Sequence, residues 1–223
     1  MHAKQKGFTL IELLVVIAII AIMAVIALPN MSQWIASRRA ASNAEQIANL
    51  LRFARAEAVR LNLPVYVCPV KIRKDGKPLG QCDSTAKDSG LLAFADKDYL
   101  VNPNKKQTYT NDSVDIHLRT IILNSKDSNR VIHHFSHVPK GQESLFWTFL
   151  PNGNFGYSTD TGLTKDTKFI MSNGYIKISM TDASATNDDD KKARASVLFI
   201  DGNGRVEICP KNDSRKQCEY PTN

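Results

Sequence analysis

The chain has 223 residues, 43% of them hydrophobic, with four cysteines and a formal charge of +7. That length leaves room for one domain with its own core even after a long helix is set aside. The basic excess permits contact with nucleic acid or anionic lipid without demanding it.

Met1 to Gly7 form a basic leader. Phe8 to Leu28 follow as an apolar run whose only ionisable side chain is Glu12. As a helix this run is ~31 Å long, enough to cross the hydrocarbon core of a bilayer. A secretory signal places a short apolar core ahead of a small-residue cleavage site. Here the natural processing point, Gly7, lies before the run, so cleavage there keeps the apolar segment on the protein as its new N-terminus. Losing Lys4 and Lys6 with the leader would lower the formal charge to +5. Glu12 is costly at such a position, roughly 2.5–3.5 kcal/mol, and so calls for a partner. A free α-amino group on Phe8, four residues earlier, supplies one, within the subunit or across to a neighbour, and an intermolecular pair would set the axial register of a helical assembly. The plainer alternative is a protonated or snorkelling Glu near the interface.

Pro29 removes a backbone donor and is expected to loosen the helix. Beyond it Ile47, Leu50, Leu51, Ala54, Ala58 and Leu61 recur at helical spacing, with Arg38, Arg39, Arg52, Arg55 and Arg60 largely off that stripe. The helix is expected to run from Phe8 to about Leu61, its second half amphipathic and packed on a sheet, and to stop at Asn62 and Pro64. Strands are expected at Val65–Ile72, Leu91–Ala95, Val114–Leu123, Val131–Val138 and Leu145–Leu150. Asn173-Gly174 suggests a hairpin over Lys168–Met180, and Ser196–Cys209 reads as another. Thr181–Arg194 is polar and aperiodic and reads as a mobile loop. The expected fold class is α+β: a long N-terminal helix packed on an antiparallel β domain. Its segments are a leader (1–7), an apolar helix (8–28), an amphipathic half (29–62) and a β-rich globular part (63–223).

Gly7-Phe8-Thr9-Leu10-Ile11-Glu12-Leu13-Leu14-Val15-Val16 resembles the class III leader of type IV pilins and type II secretion pseudopilins. The resemblance implies that a prepilin peptidase cuts after Gly7 and that Phe8 is N-methylated. Further along, Arg55-Ala-Glu-Ala-Val-Arg60, Pro64-Val-Tyr-Val-Cys68-Pro69, Leu92-Ala-Phe-Ala-Asp96 and Gly204-Arg205-Val206 ending in Cys209-Pro210 are similar to the GspH/FimT/FimU minor pilin family. That implies a minor subunit anchored in the bacterial inner membrane with its globular part in the periplasm. Its implied partners are other minor pilins, the major pilin and the inner-membrane assembly platform, and it would join a complex that primes pilus assembly. A type II secretion pseudopilus is the alternative destination.

Some members of the resembled family bind DNA through a C-terminal Gly-Arg-x-Arg motif. Here the second arginine is replaced by Glu207, which would repel phosphate. Lys211, Arg215 and Lys216 lie just beyond and, with Arg205, are the candidate DNA contacts; a solvated basic tail is the competing reading.

Cys68, Cys82, Cys209 and Cys218 in an exported domain read as two disulfides, with three connectivities open. The local pairing, Cys68–Cys82 and Cys209–Cys218, closes short loops and is the expectation. A zinc site lacks any C-x-x-C pair. His117, His133, His134 and His137 cluster, but with no carboxylate nearby in sequence they read as strand-surface residues rather than metal ligands. Asp96, Asp98, Asn102 and Asn104 lack the glycine and terminal glutamate of an EF-hand. Neither a phosphate-cradling loop nor a nucleophile elbow is found, so no catalytic residue, metal or cofactor is assigned.

Overall fold

The computed structural model describes residues 8–97, 109, 115–125, 130–138, 142–160, 162–171 and 174–221, and at 26–30 it describes the backbone alone. Helix α1 spans Leu10–Leu61, 52 residues or ~78 Å. It continues through position 29. Asn62 ends it in the left-handed conformation, at φ 55°, and Arg60 in the last turn suits the helix dipole. From Ala36 onward one face is buried: Ala40, Ala44, Ile47, Leu51, Ala54 and Ala58 recur every three or four residues. Many of these are alanines, so the helix axis lies close to the strands beneath it.

The strands are β1 (Val65–Pro69), β2 (Gly90–Ala95), β3 (Ile116–Ile122), β4 (Val131–Val138), β5 (Phe146–Phe149), β6 (Phe155–Ser158), β7 (Ile170–Met171), β8 (Tyr175–Asp182), β9 (Ser196–Asp201) and β10 (Val206–Ile208). They form a six-stranded sheet in the order β3-β2-β1-β5-β6-β7 and a four-stranded sheet in the order β10-β9-β8-β4. Every pairing is antiparallel. Helix α1 packs against strands of both sheets. The core includes fully buried Trp147, Phe94, Phe146 and Phe155, and Phe135 of the small sheet meets Trp147 of the large one at 5.5 Å between ring centroids. The α+β class expected from the pattern is the one observed.

Three expectations are corrected. Lys168–Met180 is not a hairpin: β7 pairs with β6 in the large sheet, whereas β8 pairs with β4 and β9 in the small one. Gly174, at φ +75°, therefore lies where the chain passes from one sheet to the other; Asn173 lies outside the described residues. Thr181–Arg194 is not an unstructured loop. Strand β8 runs on to Asp182, and Asp188–Arg194 form a helix, α2, capped by the Asn187 side chain on the Asp190 amide. Three acids in its first turn and Lys191, Lys192 and Arg194 toward its end match the dipole. Finally, β1 stops at Pro69, and the short strand β6, unread in the sequence, supplies the partner of β5.

Both disulfides are local: Cys68–Cys82 with Cα atoms 5.7 Å apart and Cys209–Cys218 with Cα atoms 5.5 Å apart. Beside the first, Asp83 accepts from Lys71 Nζ (2.8 Å) and Thr85 Oγ1 (2.6 Å), which holds its carboxyl down to about 2. The folded value lies below that of the unfolded chain. The stabilisation is thus complete above roughly pH 4 and fades as the pH falls toward 2. Asp83→Asn is expected to cost up to about 1 kcal/mol at neutral pH, surface pairs being screened, and to flatten the acid limb of a melting-temperature profile. An unchanged acid limb would rule this out.

Candidate functional site

The end of α1 is built by a reciprocal cap. The Glu12 backbone N–H donates to Thr9 Oγ1 at 3.3 Å, while the Thr9 backbone N–H donates to Glu12 Oε2 at 3.0 Å. Thr9 Oγ1 also lies 3.0 Å from Glu12 Oε2. This is a capping box, satisfying two backbone donors that a helix start leaves unpaired. The Thr9-x-x-Glu12 spacing carried that signal, which the pairing of Glu12 with the Phe8 amine left out. Gly7 lies outside the described residues. Phe8 is 91% exposed at the tip, and Leu10 to Val25 leave their large side chains in solvent. The only carboxylate of this rod is thus held at its very end.

Among the described residues no helix is long and apolar enough to cross a membrane. Pro29 lies within the helical backbone of α1.

At the other end of the chain, several of the basic residues have partners within the loop or on α1. Arg215 pairs with Asp213 at 2.6 Å and with Glu207, and its guanidinium lies 5.6 Å from the Phe199 ring. Hydrogen bonds from Arg215 hold both acids below the usual carboxylate range, and those acids raise Arg215. Arg205, 75% exposed, lies 3.8 Å from Glu207. Lys211 Nζ donates to Ser37 Oγ on α1 at 3.0 Å. The Lys216 carbonyl, with that of Glu219, accepts from Lys177 Nζ, and burial lowers the Lys177 pKa. The second disulfide closes this loop. Glu207, expected to repel phosphate, also pairs with Arg215, one of the candidate phosphate contacts.

The histidines are corrected in part. His133 and His137 share a face of β4, as the strand period requires, but that face is the interior, not the surface. His133 is fully buried: its backbone N–H and Nδ1 both lie 2.8 Å from Asp88 Oδ1, and its Nε2 faces Asn43 Nδ2 of α1 at 3.4 Å. Asn43 Nδ2 also donates to the Leu123 carbonyl. Because Asp88 only accepts and Asn43 Nδ2 only donates, these partners suit the tautomer that carries its proton on Nδ1. Burial alone would raise Asp88, but the bonds from His133 outweigh it and lower the carboxyl. The sequence showed no carboxylate near these histidines; folding brings one 45 positions away. His137 Nε2 meets the Tyr157 hydroxyl at 2.7 Å with the rings stacked, and His117 Nε2 meets Thr120 Oγ1 at 2.8 Å. His134 points outward, its pKa lowered by desolvation. These are structural contacts.

Among the described residues the one cluster with metal-ligand spacing is Cys209, Asp213 and Cys218, but its sulfurs are joined in the disulfide and Asp213 is held by Arg215. Asp96 is buried; Asp98, Asn102 and Asn104 lie outside the described residues.

Residues 2–28 match the prokaryotic N-terminal methylation motif, and residues 43–218 match the family described as type II transport protein GspH. Two crystal structures of the type IV minor pilin FimU from Pseudomonas aeruginosa PAO1 are similar. One is 17% identical, covering 80% of this chain and 98% of that one at a TM-score of 0.42. The other is 16% identical, covering 82% and 96% at 0.45. Among curated proteins no sequence matches the chain. The methylation motif at the head of an exposed helical rod, backed by an antiparallel β domain, places the chain in the pilin class of structural subunits. Within it the chain belongs to the GspH family.

Proposed function

We propose that this chain is a minor type IV pilin, made as an inner-membrane precursor with its globular part in the periplasm. In this reading a prepilin peptidase cuts after Gly7, Phe8 is N-methylated, and the rod then leaves the lipid for the core of a pilus that the subunit helps to initiate. The observation that carries this is the division of α1. Its second half completes the core of the β domain, whereas Leu10 to Val25 present a rod of exposed Leu, Ile, Val and Met that must be covered by lipid or by sister rods. Glu12 at its tip would exchange part of its capping role for the new Phe8 amine, and Pro29 would loosen the helix as it packs. The other minor pilins, the major pilin and the assembly platform would be its partners. Delivery to a type II secretion pseudopilus is the second reading, favoured by the description of the family matched over residues 43–218. DNA uptake draws less support, because Arg215 is held by two acids.

Glu12→Gln and Glu12→Ala separate the two roles of this acid. Glutamine keeps the capping acceptor and loses only the charge. Both variants are expected to mature to an N-terminal methylated phenylalanine, as read by intact mass, and both are expected to be depleted several-fold from sheared fibres. Normal incorporation of Glu12→Gln would refute the charge role. A mature chain starting anywhere other than Phe8 would refute the processing itself.

A further inference from the structure

A cleft of about 530 Å³ opens between α1 and the C-terminal disulfide loop. Its α1 wall carries Trp34, 57% exposed, with the Arg38 guanidinium 5.3 Å from the ring centroid. Across from them Lys211 reaches Ser37, and Lys192 at the end of α2 adds a third cation. Two acids also line the cleft. Asp213 is neutralised by Arg215, and Glu219 lies beside Lys177. The uncommitted charge facing the cleft is therefore positive.

Its position along the helix decides what that charge meets. Trp34 follows the end of the apolar run by six residues, about 9 Å, and helical side chains lean back toward the N-terminus. The indole thus falls in the headgroup layer bordering the hydrocarbon core, where tryptophan with flanking cations is the usual anchor. We propose that, while the subunit is membrane-anchored, the Trp34–Arg38–Lys211 cleft binds the phosphate headgroup of an anionic phospholipid. The site rests on the membrane-anchored reading of the chain. Arg38 and Lys211 contact the phosphate, Lys192 adds long-range attraction, and Trp34 packs on the glycerol and upper acyl region.

The chain contains two tryptophans, and Trp147 is fully buried, so lipid-dependent changes in emission report on Trp34. The full-length protein would be reconstituted into vesicles of phosphatidylcholine and phosphatidylglycerol in which one lipid or the other carries acyl-chain bromines near the headgroup. Brominated phosphatidylglycerol is expected to quench Trp34 more strongly than brominated phosphatidylcholine at the same mole fraction, each cation enriching the anionic lipid on the order of fivefold. Trp34→Phe is expected to abolish the quenching. Arg38→Ala with Lys211→Ala is expected to equalise the two lipids while unchanged Trp147 emission reports a folded domain. Equal quenching by both lipids in the unaltered protein overturns the proposal and leaves the anchor standing. So does shielding of Trp34 that rises with protein concentration in detergent, the sign of a second copy in the cleft. Failure of the protein to float with either vesicle overturns the anchor and the cleft together.

Discussion

Asp88→Ala is expected to destabilise the domain by about 3 kcal/mol. The Asp88 carboxylate accepts from both the backbone N–H and Nδ1 of a histidine with no solvent access. Its removal strands two buried donors at roughly 1–3 kcal/mol each, a cost solvent reaching the half-open aspartate site would only partly offset. The damage would spread, because the other face of the same ring accepts from Asn43 and so couples α1 to β4. Asp88→Asn keeps one acceptor oxygen and should lose about half as much. Denaturant midpoints of the three proteins at neutral pH check this, and a loss under about 1 kcal/mol for the alanine variant would show that the network contributes little.

A comparably large effect is expected at Gly174. Its φ of +75° is strained for any residue with a side chain, and an added Cβ would lie within 2.7 Å of His137 Nε2 and closer still to the Val138 carbonyl. Left-handed strain accounts for about 1–2 kcal/mol. The collision is with backbone, and it also displaces the imidazole that bonds Tyr157. Gly174→Ala should therefore cost about 3 kcal/mol or more, a fall in melting temperature of about 10 °C for a domain of this size. A fall of only a degree or two would mean that β8 shifts to accommodate the methyl group. Gly162 is a fit control: it lies in open space with φ outside the positive region, and its alanine variant should melt like the parent.

Those two positions mark what could and could not be read in advance. Long-period signals were legible: the alternation over Val131–Val138 and the stripe from Ile47 to Leu61 matched the observed elements closely, because burial on one face fixes the period in each case. The local disulfides were also legible. Pairings decided by tertiary placement were not. Asn173-Gly174 carries the chemistry of a tight hairpin, yet β7 is only two residues long and is an edge of the large sheet, while β8 belongs to the small one. The histidines were misplaced for the same reason. A polar residue on a strand reads as surface until a distant acid such as Asp88 satisfies it inside. At the helix head the capping signal lies in four residues, Thr9 to Glu12, inside an apolar run whose hydropathy points to lipid. In the C-terminal loop a list of basic residues could not show that Asp213 and Glu207 were already paired with Arg215.

The two disulfides share a property with mechanical meaning. Each closes a short loop, between residues 68 and 82 and between 209 and 218, and neither crosses to α1. Beyond the continuous chain at Asn62, the helix is fastened to the rest by non-covalent contacts that include the alanine seam, Arg52 on the Val206 carbonyl, Arg55 on the Gly153 carbonyl and Arg119 over the Phe53 ring. A pull along the rod in a fibre would load this seam in shear, its many weak contacts sharing the force at once, while the sulfur bridges would carry none of it until the seam had let go.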